Sequence, residues 1–228
     1  MILLLNPDTT VLNRAIETSY KFLSKISDAG VVGCKLLNKD GSLQLSCRSF
    51  PSILNHISET FFLYKLFPKS RIFGKYYMTF FDYKRTRKVD VVMGAFMMIK
   101  RGVFDNIGLL DERFFMYSEE TDFCYRVQNN GWGIYYYPDA QIIHNWGGMS
   151  DSLPVNLFIE LHKSLMKFCY KHHSRFYAHI EKIVMIIGIL FRCIHAQIIY
   201  IYKKEKSVGD RKDKYIKTLQ WYIKGCNK

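Results

Sequence analysis

The chain has 228 residues, 49% apolar, 16% aromatic and 23% charged, which excludes a disordered or low-complexity polypeptide and leaves room for one ordinary domain with an appendage. Lys and Arg exceed Asp and Glu by 13, and the excess is confined: eight basic residues against Asp82 between Lys65 and Lys88, and nine against three acids between Lys203 and Lys228. Two basic patches on an otherwise neutral chain suit an anionic ligand or a membrane surface; a nucleic-acid partner is not expected, because the charge sits in an insertion and a tail and no recognised binding motif accompanies it.

Ile2 to Leu5 is a short apolar run stopped by Asn6-Pro7-Asp8, and reads as a buried strand ending in a loop. Thr9 or Thr10 is placed to cap a helix whose apolar positions Leu12, Ile16, Tyr20 and Leu23 recur at helical spacing. Val31 to Leu37 is a second strand, Asn38-Lys39-Asp40-Gly41 a hairpin turn, and Ser42 to Cys47 the returning strand. Ser49 to Lys88 is basic, aromatic and weakly periodic, and is expected to be a mostly irregular insertion. Val89 to Lys100 is an apolar strand with Gly94-Ala95 in its middle, where something approaches the backbone closely. Ser118 is expected to cap a helix from Glu119 to about Asn130 that Gly131 stops. Trp132 to Tyr137 and Gln141 to His144 are two further strands, parted by Pro138-Asp139. Leu153 to His173, His179 to Tyr202 and Asp210 to Lys224 read as helices. Alternating strands and helices up to Ser150 imply an α/β layer architecture followed by an all-helical segment.

The six cysteines fall singly, without metal-ligand spacing, and read as reduced thiols of a cytosolic protein. Ile2 to Leu5 is too short, and lacks the basic flank, for a signal peptide.

Four local features carry chemistry. Asp8 is a carboxylate in a loop at the carboxyl end of a strand, where open α/β sheets bind ligands and a hard cation finds oxygen donors; taken alone, it is better read as starting the next helix. Glu119, Glu120 and Asp122 are three acids in the first turn of a helix, where the macrodipole stabilises them; a functional role requires one of them free to take a proton from a substrate hydroxyl. His144 closes a strand ahead of Trp146-Gly147-Gly148 and suits either a metal ligand or a structural imidazole. Gly94 and Ala95 offer a spot free of side chain, for substrate or for tight packing.

In order along the chain, Leu4-Leu5-Asn6-Pro7-Asp8, Gly33 to Leu43, Gly94 to Arg101, Gly108 to Arg126 and Ile142 to Gly148 resemble bacterial glycosyltransferase family 2, and within it the rhamnosyltransferase-like branch that builds surface polysaccharide. The resemblance covers Ile2 to about Ser150 and is most specific from Val89 to Gly148. It implies a GT-A-like mixed sheet flanked by helices over residues 1–150, amino-terminally truncated, followed by a helical extension over 151–228. It implies an inverting transferase that moves a hexose, rhamnose by the branch, from a dTDP- or UDP-linked sugar to a hydroxyl of a growing glycan or polyprenyl-linked acceptor. Asp8 and His144 fall on the family's metal-binding positions, with Asn6 in place of the first acid, so Mn²⁺ or Mg²⁺ is the expected cofactor. Glu120 falls on the catalytic base, with Glu119 and Asp122 in support; Gly94, Ala95 and Trp146 are expected against the sugar or acceptor. Family members carry a strand-helix-strand portion ahead of the Asn-Pro-Asp strand that holds the nucleotide base, and this sequence starts at that strand. Either Met1 is an internal methionine of a longer reading frame or the chain is a truncated product, and in the second case the alternative reading is an inactive, membrane-bound binding or scaffold protein.

Ile183 to Tyr202 is rich in Ile, Leu, Phe and Tyr, interrupted by Arg192, His195 and Gln197, and the polar or small positions Glu181, Gly188, Arg192 and His195 form a stripe along one helical face. With the basic tail beside it, an interfacial helix is expected on the inner, cytoplasmic face of the cell membrane.

Overall fold

The computed structural model describes residues 1–145, 153–204 and 206–225. In chain order the elements are β1 (Ile2–Leu5), β2 (Thr9–Leu12), α1 (Ala15–Lys25), β3 (Ala29–Leu37), β4 (Leu43–Gln44), β5 (Cys47–Arg48), α2 (Ile53–Thr60), α3 (Leu63–Leu66), β6 (Arg87–Lys88), β7 (Val91–Val92), β8 (Phe96–Ile99), α4 (Arg101–Ile107), α5 (Glu119–Asn129), β9 (Gly133–His144), α6 (Val155–His172), α7 (Arg175–Lys203) and α8 (Lys206–Lys224). The described residues of Met1–Phe50, Pro68–Arg113 and Glu119–Gly147 form one compact unit; those of Pro51–Phe67, Phe114–Ser118 and Gly148–Lys228 form a second.

The first unit is a mixed sheet in the order β1-β8-β3-β9-β2, with β4 on β3 and β6 on β9, and a small antiparallel pair β5-β7 beside it. Only β3 and β9 run parallel; the other pairs are antiparallel. The sequence of β3, Ala-Gly-Val-Val-Gly-Cys-Lys-Leu-Leu, lacks polar alternation because both faces of the sheet are covered. Val31 points into a core with Ile99, Val103, Phe123, Val127 and Ile134, under α4 and α5. Val32, Cys34 and Leu36 point the other way, into a core with Ala15, Leu23, Phe96 and Ile142, under α1.

Gly33 lies between these layers, and a Cβ there would come within 2.6 Å of Val92 Cβ, a branched side chain anchored at the backbone. Gly33→Ala is therefore expected to cost about 1–3 kcal/mol through overpacking, seen as a lower urea midpoint at unchanged slope.

Several elements differ from the sequence expectation. β1 is an edge strand, paired with β8, and Ile2 and Leu5 are about 40% exposed rather than buried. Thr9 and Thr10 do not cap a helix; they pair with His144 and Ile143 of β9, and the helix starts at Ala15 after Arg14 in a left-handed conformation. The strand expected over Val89 to Lys100 is broken at Met93–Ala95 into β7 and β8. Ser118 has φ 63°, not the extended backbone of an N-cap serine. The two strands expected around Pro138 are one: β9 runs through, because residues 138–140 have no register partner on β3, which steps from Cys34↔Tyr137 to Lys35↔Gln141. At such a bulge proline's missing N–H costs no ladder bond. The hairpin turn forms as expected, with Gly41 at φ 79° and the Asn38 amide donating to Ser42 O.

The 49–88 segment is more ordered than expected. Ser52 caps α2 by accepting from the Asn55 amide, and α2 belongs to the helical unit. There α6, α7 and α8 close around Phe158, Met166, Ile189, Ala196, Tyr215 and Tyr222. Of the polar stripe of α7, Glu181, Gly188 and Arg192 face this interior, while His195 is exposed. Glu181 is fully buried and paired with His56, Thr60 occupies the space a Cβ on Gly188 would need, and Arg192 Nη2 donates to Glu59 O. Outward stand Ile183, Ile187, Ile194, Ile198 and Ile201, each about half exposed or more.

Candidate active site

The loop Asn6–Asp8 is held at both ends. The Asn6 amide donates to Ala95 O at 3.1 Å, Thr9 Oγ1 donates to Asn6 O at 2.7 Å, and the Asn145 amide donates to Asp8 O at 2.9 Å. Pairing of Thr9 with His144 across β2 and β9 then sets Asp8 beside the histidine, its Oδ1 3.5 Å from His144 Nε2. Asn6 Nδ2 lies 3.4 Å from the same nitrogen.

The other ring nitrogen, Nδ1, is 2.7 Å from Gln44 Oε1. An amide oxygen only accepts, so Nδ1 carries the proton and Nε2 presents its lone pair toward Asp8. Burial pushes the imidazole below its ordinary pKa, against the opposing pull of Asp8. A neutral imidazole and a half-exposed carboxylate are a donor set that Mn²⁺ or Mg²⁺ accepts. Among the described residues no three His, Cys, Asp or Glu side chains cluster.

The acids of α5 occupy unlike surroundings. Tyr117 and Ser118 precede it with φ 67° and 63°, a left-handed pair that costs free energy and occurs where surrounding structure imposes it. Asp122 is fully buried and accepts from Arg126 Nε at 2.9 Å. Arg126 also donates to Ile107 O and Leu109 O, so this acid is taken up in holding α5 against the end of α4. Glu119 and Glu120 each have a buried Oε2 with no hydrogen-bond partner. Burial raises Glu119, and burial with the Glu119 charge beside it raises Glu120 to about 7, Arg48 opposing. Gly94 lies against Glu120: a Cβ built on the glycine would sit 3.9 Å from Glu120 Cβ, ordinary contact distance, with nothing else nearby.

The structure thus brings Asp8 to His144 and Gly94 to Glu120, with Ala95 linked through its carbonyl to the Asp8 loop. Trp146 lies outside the described residues. Sequence reasoning missed Gln44 and Arg48, which stand in no motif and reach the site only through the β3–β4 hairpin and the β5–β7 pair.

A family model described as glycosyltransferase like family 2 matches residues 1–163. The chain belongs to that family. Its fold is the GT-A-like α/β arrangement that the sequence resemblance implied. Among its relatives is an N-acetylglucosaminyl-diphospho-decaprenol L-rhamnosyltransferase of Mycobacterium tuberculosis, 27% identical over 76% of this chain and 56% of the relative. Rhamnosyltransferase WbbL of Escherichia coli is 28% identical over 63% and 51%, and dTDP-rhamnosyl transferase RfbF of Shigella flexneri 25% over 52% and 41%. The chain spans about half the length of these family 2 relatives.

Proposed function

We propose that this protein transfers a hexose, rhamnose by its relatives' names, from a dTDP- or UDP-linked donor to a hydroxyl of a growing surface glycan or polyprenyl-linked acceptor, with inversion. The observation that carries the reading is Glu120: a carboxylate raised by burial, with one buried oxygen lacking a hydrogen-bond partner, beside the side-chain-free surface of Gly94, in a chain of this family. A general base poised near neutral pH takes the acceptor proton as the acceptor oxygen bonds the anomeric carbon and the bond to the diphosphate breaks. One in-line displacement inverts that carbon and leaves no sugar on the enzyme. Asp8 and His144 would hold Mn²⁺ or Mg²⁺, which supplies positive charge for the departing nucleoside diphosphate. Glu119 and Asp122 support Glu120, the first by its charge and the second by fixing α5 through Arg126. In this reading the first unit makes the catalytic domain and the second the helical extension, which takes in Pro51–Phe67 and Phe114–Ser118 as well as the chain beyond the expected boundary at 150.

Calorimetric titration with dTDP and UDP, with and without Mn²⁺, tests it. Metal-dependent binding that Asp8→Ala abolishes is the expected result, followed by transfer assays with the preferred nucleotide sugar. A folded chain that binds neither nucleotide would favour a non-catalytic binding or scaffold role.

The attachment we propose is peripheral, on the cytoplasmic face of the membrane. α7 is long and apolar enough to cross a bilayer, with mean hydropathy 2.0 over residues of Arg175–Tyr202 and little of that stretch buried. Glu181, Gly188 and Arg192 of its stripe are taken up inside the helical unit and its isoleucines face outward, which suits an apolar surface lying in the headgroup boundary. Flotation with phosphatidylglycerol vesicles is expected to carry the protein up, less at high salt, with loss in the Ile187→Glu, Ile194→Glu double variant. Salt-independent flotation that only detergent reverses would mean a spanning helix.

A further inference from the structure

His144 is oriented from the far end of the β3–β4 hairpin through side chains whose hydrogen-bond polarity is fixed one after another. Ser42 donates to Asp40 Oδ1 through its amide at 2.9 Å and its hydroxyl at 2.5 Å. An ionised carboxylate only accepts, so the Ser42 hydroxyl proton is committed and its oxygen is left to accept. Asn38 Nδ2 donates to that oxygen at 2.9 Å, which turns Asn38 Oδ1 toward the strand. Gln44 Nε2 donates to Asn38 Oδ1 at 3.0 Å, which turns Gln44 Oε1 toward His144 Nδ1. Amide and imidazole orientations that are ordinarily interchangeable have here one consistent assignment, because the series ends on a group with no proton to give.

We infer that Gln44 is a positioning residue for His144: with Asn38, Ser42 and Asp40 it keeps the imidazole proton on Nδ1 and the Nε2 lone pair facing Asp8. The inference rests on the proposed metal-binding role of Asp8 and His144 for its consequence, though not for its geometry. Gln44 is 6% exposed and His144 3%, so water has little access to replace the amide oxygen as acceptor for Nδ1. Partners that fix the tautomer of a ligating histidine commonly change metal affinity about 10–100-fold when removed.

Two readouts test this on the full chain. Long-range ¹H–¹⁵N correlation of metal-free, ¹⁵N-histidine-labelled protein reports which His144 nitrogen is protonated, and titration with Mn²⁺ in the presence of dTDP reports affinity. Wild type is expected to show the Nδ1–H tautomer. Gln44→Met keeps the volume and removes the acceptor; a mixed or Nε2–H tautomer is expected, with Mn²⁺ binding weakened about 10–100-fold. Gln44→Glu keeps an acceptor and is expected to keep the Nδ1–H tautomer. Ser42→Ala, at the exposed turn, leaves the core untouched and frees the two amides to reverse, so the tautomer becomes mixed even if Gln44→Met fails to fold. An Nδ1–H tautomer unchanged in Ser42→Ala, and in Gln44→Met where it folds, overturns the inference, as does wild-type Mn²⁺ affinity in Gln44→Met. If His144→Ala binds Mn²⁺ and dTDP like wild type, the metal-site reading fails instead, while the tautomer measurement still decides the role of Gln44.

Discussion

Glu120→Gln is expected to lower the rate of sugar transfer about 10²–10⁴-fold while leaving Mn²⁺-dependent nucleotide binding in place. The amide has the carboxylate's shape and cannot take the acceptor proton, so the loss should fall on kcat. In the parent, kcat/KM is expected to rise with pH through about 7, where Glu120 loses its proton, and to fall about tenfold per unit on the acid side. Glu119→Gln removes the like charge that adds to the effect of burial, so its acid limb should move to lower pH. Stability should run the opposite way. A carboxyl raised from 4.5 to about 7 binds more protons in the native than in the unfolded state across that window. Its stabilising contribution is present in full below pH 4.5 and is lost as pH rises through 7. Glu120→Gln should therefore be more stable than the parent at pH 8, with the difference vanishing toward pH 4.5. A variant that is inactive because it is damaged would be less stable at pH 8, so thermal melts at two pH values separate the cases. Normal turnover by a stable Glu120→Gln would remove the residue from the reaction.

The chemistry-bearing residues were legible because each sits in a short motif: Asn6-Pro7-Asp8, the acids at the start of α5, and His144 at the end of β9. Their mutual placement was not. Asp8 meets His144 through a β2–β9 pairing between residues over a hundred positions apart, and the same pairing overrides the local signal of Thr9 and Thr10 for a helix start. Pro138 divided β9 on local grounds, although a bulge on a strand held along both sides absorbs it. The roles of the three acids could not be separated by spacing. Burial and Arg126 separate Asp122 from the other two, and a Cβ-free neighbour, Gly94, singles out Glu120. The stripe on α7 was visible as a pattern, but which face it occupies depended on α2, whose Ser52 cap was hidden in a basic, aromatic stretch of weak periodicity. With α2 in place Glu181, Gly188 and Arg192 turn inward, His195 stays exposed, and the isoleucines become the surface.

Arg126→Ala is the largest stability loss expected in the first unit, about 3–5 kcal/mol. It removes the Arg126 guanidinium from the Asp122 carboxylate, which has no exposed surface of its own, and takes a donor from each of two carbonyls, Ile107 O and Leu109 O. The position was selected for this by geometry: one planar fork reaches the acid four residues back in the same helix and two carbonyls at and just beyond the end of α4. Lysine carries the charge but cannot span three acceptors in three directions, so Arg126→Lys should recover only part of the loss. Removing both charges tests the cause. If the cost is the loss of the Arg126 charge beside the buried carboxylate, the Asp122→Leu, Arg126→Met double variant should be markedly more stable than Arg126→Ala, giving a coupling of more than about 1 kcal/mol in a double-mutant cycle by urea denaturation. If the cost lies mainly in the two carbonyls, the double variant should be no better than the single one. Either result bears on the reaction, because Asp122 and Glu120 stand in the same first turn of α5. In the carboxylate case, the double variant should regain stability without regaining full activity, since the tie that sets α5, and with it Glu120, against the end of α4 is gone.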